Sequence, residues 1–201
     1  VWVAVWDVAE DEAFAFFREQ AEGLLAGGVL PVIKHIPGHG RAVADSHQAL
    51  PVVAASRGEL LRTDFAPFRA LADMPLAMTA HVAYSDIDGH TPASLSEELI
   101  RNVIRGDIGF HGALMCDDLG MAALEGDFAG RACKAIMAGC DLLLHCSGEM
   151  AEMRDIMRET PVLAGAALAR CANALARRRT PETFDAPQGQ ARLAQLLAAG
   201  V

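Results

Sequence analysis

The chain has 201 residues, 52% of them hydrophobic, and a formal charge of −9 from 17 Lys and Arg against 26 Asp and Glu. That length favours one domain with a sizeable core, and the scattered cations exclude the basic footprint that nucleic acid or an anionic membrane surface requires. No apolar run approaches the roughly 18 residues of a membrane span, and five dispersed cysteines (Cys116, Cys133, Cys140, Cys146 and Cys171) without a CxxC pair fit reduced, mostly buried thiols in the cytoplasm.

In chain order, "VWVAVW" (1–6) has the texture of a buried strand, and the opening stretch lacks the basic start of a signal peptide. Residues 11–26 place Phe14, Phe17, Ala21, Leu24 and Leu25 at helical spacing, and "AGG" (26–28) supplies glycine for the helix end. "VLPVI" (29–33) predicts the next strand and leads into the loop "KHIPGHGRAVADSH" (34–47). Residues 55–72 predict one helix, through Leu60, Leu61, Phe65, Phe68 and Leu71. After the strand "MPLAMTAHV" (74–82), "TPASLSEELI" starts a helix over 95–105, with Ser94 or Ser96 as its N-cap. "GALMC" (112–116) and "CDLLLHC" (140–146) complete the strands, with helical spacing over 128–138 and 149–158. Arg177 to Arg179 fit a last helical turn, and 180–201 read as a loop and a terminal helix. Strand, loop and helix in repetition mean βαβ units around a parallel sheet, so the fold class is α/β.

Parallel α/β folds place their chemistry at the carboxyl ends of the strands. Those ends carry Lys34 and His35, then His81, then Asp117 and Asp118, then His145. Adjacent aspartates at a strand end project in opposite directions, so one can enter the mouth while the other binds loop amides. In the long loop, Pro37 fixes the entry, while Gly38 and Gly40 permit positive φ and close approach. Asp45 and His47, two apart on an extended segment, point to the same side. A carboxylate held there orients the imidazole as a general acid/base. Taken alone, such a triplet is more often a turn than a catalytic dyad. A metal cage of His35, His39, Asp45 and His47 is chemically conceivable, but the glycines and Pro37 fit a moving loop better.

These stretches together resemble glycoside hydrolase family 3, in its β-N-acetylglucosaminidase branch. "KHIPGHGRAVADSH" is similar to the KH(F/I)PGHG…DSH signature. "GALMCDDLGM" is similar to the nucleophile strand, with Cys116 and Gly120 where serines are usual, and "AMTAHVAYSDID" and "AGCDLLLHC" follow in matching order. The likeness starts near residue 20, and "VWVAVWDVAEDEAFAFF" does not look like the family.

The resemblance implies a (β/α)8 TIM-barrel family with only about the C-terminal half of the barrel present, as one partial catalytic domain over 1–201. It implies Asp117 as the nucleophile of a retaining reaction, His47 as the general acid/base with Asp45 as its partner, and Lys34 and His35 as sugar-binding residues. Asp118 and His39 are expected to support loops and His81 to lie near the site, with His90, His111 and His145 non-catalytic. Neither metal nor cofactor is expected. The expected activity is exo-hydrolysis of terminal β-linked N-acetylglucosamine from peptidoglycan (anhydro-muropeptide) fragments during cytoplasmic cell-wall recycling. Two alternatives stay open: a phosphorylase of the same family, because a histidine acid/base adds no charge against phosphate, and a catalytically silent glycan-binding fragment. The partner is a small glycan or muropeptide, not nucleic acid or membrane. A half-barrel has two unpaired edges, so three outcomes stay open: a marginally stable chain, a homodimer that completes the sheet if this is the whole chain, or an excerpt of a longer protein.

Overall fold

The computed structural model describes residues 2–4 and 11–198. Strand β1 (Trp2–Ala4) is followed by α1 (Asp11–Ala26), β2 (Val32–Ile36), β3 (Val52–Val53), α2 (Arg57–Arg62) and α3 (Ala66–Ala70). Next come β4 (Leu76–Thr79), β5 (Ala83–Tyr84), α4 (Ser85–Asp88), β6 (Ala113–Asp118), α5 (Phe128–Ala138), β7 (Leu142–Leu144), α6 (Met150–Glu159), α7 (Gly165–Ala176) and α8 (Ala186–Ala198). A wide π-type helix, Leu99–Asp107, lies between α4 and β6. The main sheet is parallel, in the order β1-β2-β4-β6-β7, and β3 pairs with β5 beside it.

Alternation along the strands creates two faces. Ile33, Ala77 and Leu114 share a row and lie fully buried with Phe65, Phe68, Leu99 and Ile104 in the core beneath the helices. The neighbouring row, Lys34, Met78 and Met115, faces the other way. There Met115 and Leu142 are only half-buried, as the inner face of an unclosed barrel would be.

At the amino end of the sheet, Asp141 (1% exposed in its side chain) accepts from the Leu114 amide at 2.9 Å and from Arg105 at 3.0 Å. Its two oxygens also take the Arg170 guanidinium. Arg105 continues to the carbonyls of Phe110 and Gly112, so α7, the wide helix and two strand starts meet on one carboxylate.

Several sequence expectations change. The single helix over 55–72 is two, because Pro67 lacks an N–H and starts α3 instead of continuing α2. The helix expected over 95–105 is the wide one, capped by Ser96, whose Oγ accepts from the Leu99 amide at 3.0 Å. Arg177 lies past the end of α7, with its guanidinium on the Asp73 carbonyl. All five cysteines are free, but only Cys116 and Cys140 are buried; Cys133 and Cys146 are exposed, on α5 and after β7. The expected side-chain role of Phe14 and the strand ending at residues 5–6 lie outside what is described. The terminal helix is present, as are the left-handed glycines Gly28 and Gly139 at helix ends. No helix among the described residues is long and apolar enough to cross a membrane.

Candidate active site

Two register slips shape the carboxyl rim of the sheet. Lys34 pairs with Met78 but Ile36 with Thr79, which leaves His35 as an extra residue in β2. Met115 pairs with Leu142 and Asp118 with Leu144, so β6 also carries one extra residue, beside Asp117. Bulges re-aim side chains, and both fall where the sequence places its chemistry. The Lys34–His35 and Ile36–Pro37 peptide bonds are cis.

The result is a histidine facing a carboxylate. His35 Nε2 stands 3.5 Å from Asp117 Oδ2. Asp117 Oδ1 accepts from the Asp118 amide at 2.8 Å, and the Asp117 amide donates to Thr79 Oγ1 at 3.4 Å. Burial pushes the His35 pKa down to about 4, against the pull of Asp117 and with help from Lys34. The ring is therefore neutral at pH 7 and meets the carboxylate as a hydrogen-bonding group without charge.

His81 is fully buried behind this pair. Its Nε2 lies 3.0 Å from the Asp118 carbonyl and its Nδ1 2.6 Å from Ser94 Oγ. A carbonyl only accepts, so Nε2 carries the hydrogen and Nδ1 accepts from the serine. Burial lowers the pKa of this ring too. The Asp118 side chain turns away from the mouth: Oδ1 accepts from Gly120 at 3.0 Å and from Cys146 at 3.1 Å. The two aspartates thus divide as their alternation requires, one into the mouth and one into the loop.

The glycine loop has a fixed stem and an exposed tip. Tyr84, the one tyrosine of the chain, donates its hydroxyl to the Gly38 carbonyl from full burial. A Cβ on Gly38 would stand 3.1 Å from the Asp64 Cβ and carbonyl, tighter than ordinary contact, so a side chain there would press Asp64 aside. Arg41 locks the same stretch through Asp64 at 2.7 Å. The His39 ring packs edge-on to His35, 5.7 Å between centroids, with Nε2 3.4 Å from Ser46 Oγ. At the tip, Asp45 Oδ1 accepts from the His47 amide at 2.9 Å and faces His47 Nδ1 at 3.0 Å. These His47 contacts hold the Asp45 pKa below its ordinary value.

The expected dyad is therefore formed, but in solvent. The side chains are 75% exposed for His47 and 53% for Asp45, and no hydrogen bond or ion pair joins His47 to Asp117. Lys34, His35 and Asp117 come together on the rim; the dyad stands apart. A cavity of about 610 Å³ opens next to the segment that follows it, between Gln48, His90, Thr91 and Lys134. Among the described residues no three His, Cys, Asp or Glu side chains group to hold a metal ion. In the sequence, Thr79, Tyr84 and Glu152 are not among the candidate site residues, and Ser94 is only a cap candidate. Of these, only Tyr84 carried a signal, as a solitary aromatic hydroxyl just beyond a strand end.

Residues 6–175 match the family model "Glycosyl hydrolase family 3 N terminal domain". The match begins at residue 6, ahead of the position near residue 20 where the motifs become recognisable, so the opening helix belongs to the likeness after all. Two curated relatives are β-hexosaminidases. That of Methylobacillus flagellatus is 43% identical over 130 residues, covering 63% of this chain and 37% of the relative. That of Alkalilimnicola ehrlichii is 45% identical over 134 residues, covering 65% and 38%. Among solved structures, a family 3 β-N-acetylglucosaminidase from Paenibacillus sp. str. FPU-7 superposes with a TM-score of 0.76 at 28% identity, over 86% of this chain and 36% of that one. NagZ from Neisseria gonorrhoeae superposes with a TM-score of 0.71 at 31% identity, over 90% and 51%. The chain therefore spans well under half the length of these curated relatives.

Proposed function

The chain belongs to glycosyl hydrolase family 3, and from that premise we propose that it carries the nucleophile end of a retaining exo-β-N-acetylglucosaminidase. The family's domain is a (β/α)8 barrel, of which this chain forms a partial, C-terminal portion. The observation that carries the proposal is Asp117: a rim carboxylate with one oxygen on the Asp118 amide and the other facing His35. Asp117 attacks the anomeric carbon, the bond to the leaving oxygen breaks, and a glycosyl ester forms. His47 gives its proton to that oxygen. Asp45 holds Nδ1, which leaves Nε2 as the transferring nitrogen. The imidazole then takes a proton from the water that cleaves the ester, and two inversions give net retention. For this cycle the exposed tip must fold inward over the sugar, and the fixed stem with its flanking glycines supplies the pivot.

Lys34 and His35 would bind sugar hydroxyls, and the cavity beside the dyad offers room for the group being released. The substrate we propose is a peptidoglycan fragment ending in β-linked N-acetylglucosamine, processed in the cytoplasm. The exposure of the dyad favours one second reading, a glycan-binding portion that does not turn over by itself. Release of p-nitrophenol from its β-N-acetylglucosaminide separates the two. Turnover that disappears in Asp117→Ala supports the hydrolase. A folded parent chain that binds N-acetylglucosamine without turnover supports the second reading, and a rate that depends on phosphate would redirect the assignment to phosphorolysis.

A further inference from the structure

His145 was expected to play no part in the chemistry, yet the structure places it against the support of the nucleophile. Its side chain is 6% exposed, and each ring nitrogen faces a carboxylate. Nε2 lies 2.8 Å from Glu152 Oε2 on α6 and 2.8 Å from Ser147 Oγ, and Ser147 itself donates to Glu152 at 2.6 Å. Nδ1 is buried without a hydrogen-bond partner, 3.5 Å from Asp118 Oδ1. The ring packs edge-on to Phe128, 4.9 Å between centroids. Arg131 covers the same phenyl ring and reaches the Leu119 carbonyl at 2.6 Å.

We propose that His145 is a positioning residue for Asp117, acting through Asp118; the proposal rests on reading Asp117 as the nucleophile. The amide that holds Asp117 Oδ1 belongs to Asp118, so the placement of that carboxylate follows the placement of Asp118. Asp118 is held at its carbonyl by His81 and at its carboxylate by the Gly120 and Cys146 amides. His145 lines the remaining side, 3.5 Å from that carboxylate, and reaches α6 through Glu152. A buried ring nitrogen without a bond is costly, and the carboxylate it faces is Asp118. Glu152 only accepts and Ser147 gives its hydrogen to Glu152, so Nε2 donates. A bond from Nδ1 to Asp118 then requires a ring with a hydrogen on both nitrogens, an imidazolium between two carboxylates. A small inward shift of the 118–121 turn, as a bound sugar presses on Asp117, would bring the two into hydrogen-bonding range. The charged and titratable groups around the ring are Asp118, Glu152, Cys146 and Arg131.

The test uses the full chain with an activated 5-fluoro-N-acetylglucosaminyl fluoride, which traps a carboxylate nucleophile as its glycosyl ester. In His145→Val, trapping on Asp117 is expected to slow about ten- to hundred-fold, the range that small misplacements of a reacting group produce. Affinity for N-acetylglucosamine is expected to stay unchanged. His145→Gln, whose amide can still donate to Asp118, is expected to recover part of the rate and covers failure of the valine variant to fold. In parallel, the ring ¹⁵N resonances of His145 are compared between the parent and Asp118→Asn, where Nδ1 is expected to move and Nε2 to stay. Equal trapping rates in parent and variants, or an Nδ1 resonance indifferent to Asp118→Asn, would overturn the proposal. Absence of an adduct in the parent chain would instead count against Asp117 as nucleophile, and the ring-nitrogen comparison would still decide whether the bridge to Asp118 exists.

Discussion

Lowering the pH from 7 to 5 offers a proton to every ordinary histidine, and His35 in the folded chain does not take it. Burial against the rim sets its pKa at about 4, against 6.5 for an unperturbed ring. Between those two values the unfolded chain binds the proton and the folded chain does not, so acidification favours unfolding. The stability that comes from the neutral ring is complete above pH 6.5, declines below it, and is exhausted once the pH passes through 4. The full displacement corresponds to about 3 kcal/mol, of which the two binding curves assign about 2 kcal/mol to the interval between pH 7 and 5. His81 shifts in the same direction from the same cause. The informative quantity is therefore the difference between the parent and His35→Gln, in which every other group is retained. Urea unfolding of both proteins at the two pH values measures it. Relative to the variant, the parent should lose about 2 kcal/mol on acidification. A gap that stays constant would mean that His35 is not desolvated, and the account of a neutral ring facing Asp117 would fall with it.

Other consequences can be checked with the same preparations. Asp141→Ala strands Arg105 and Arg170 around a buried void and should cost about 3–5 kcal/mol, seen as a fall in Tm of about 6–20 °C; a loss below 1 kcal/mol would show the network to be ornamental. Gly112→Ala brings a Cβ to 2.6 Å from the Pro75 carbonyl and 2.7 Å from that of Met74. Backbone cannot yield cheaply there, and denaturant titration should register a loss of about 1–3 kcal/mol. His47→Ala and Asp45→Ala should each lower kcat on an unactivated glycoside about 10²–10⁴-fold. The double variant should be no slower than His47→Ala, since the pair acts as a unit; independent, multiplying losses would separate the two roles.

The parallel α/β architecture was legible because each buried strand is a short apolar run bounded by a glycine or a polar end. That the Asp117 and Asp118 side chains point apart was legible too, since neighbours on a strand alternate, although the bulge beside Asp117 was not. What escaped had a weak local signal or none. The split between α2 and α3 turns on one proline inside an otherwise continuous helical pattern. Glu152 reads as one more acidic residue on a solvated helix until β7 brings His145 back against it. The bulges at His35 and Asp117 depend on pairing registers between distant segments, Lys34 with Met78 and Met115 with Leu142, which no single stretch encodes. The dyad was recognisable by its residues, but its position in open solvent was not, because nothing in "ADSH" specifies how far its loop lies from the sheet.

The Asp141 network and the Asp117 rim lie at opposite ends of the same strands. An experimenter benefits from that separation. Substitutions at the chemical end leave the ionic clamp and the helix-side core untouched, so a silent variant of Asp117, His35 or His47 should remain a folded object whose silence can be interpreted. The same arrangement lets the rim change while the far end keeps the strands in register, so an amino acid exchange near the mouth alters the rim before it alters the fold.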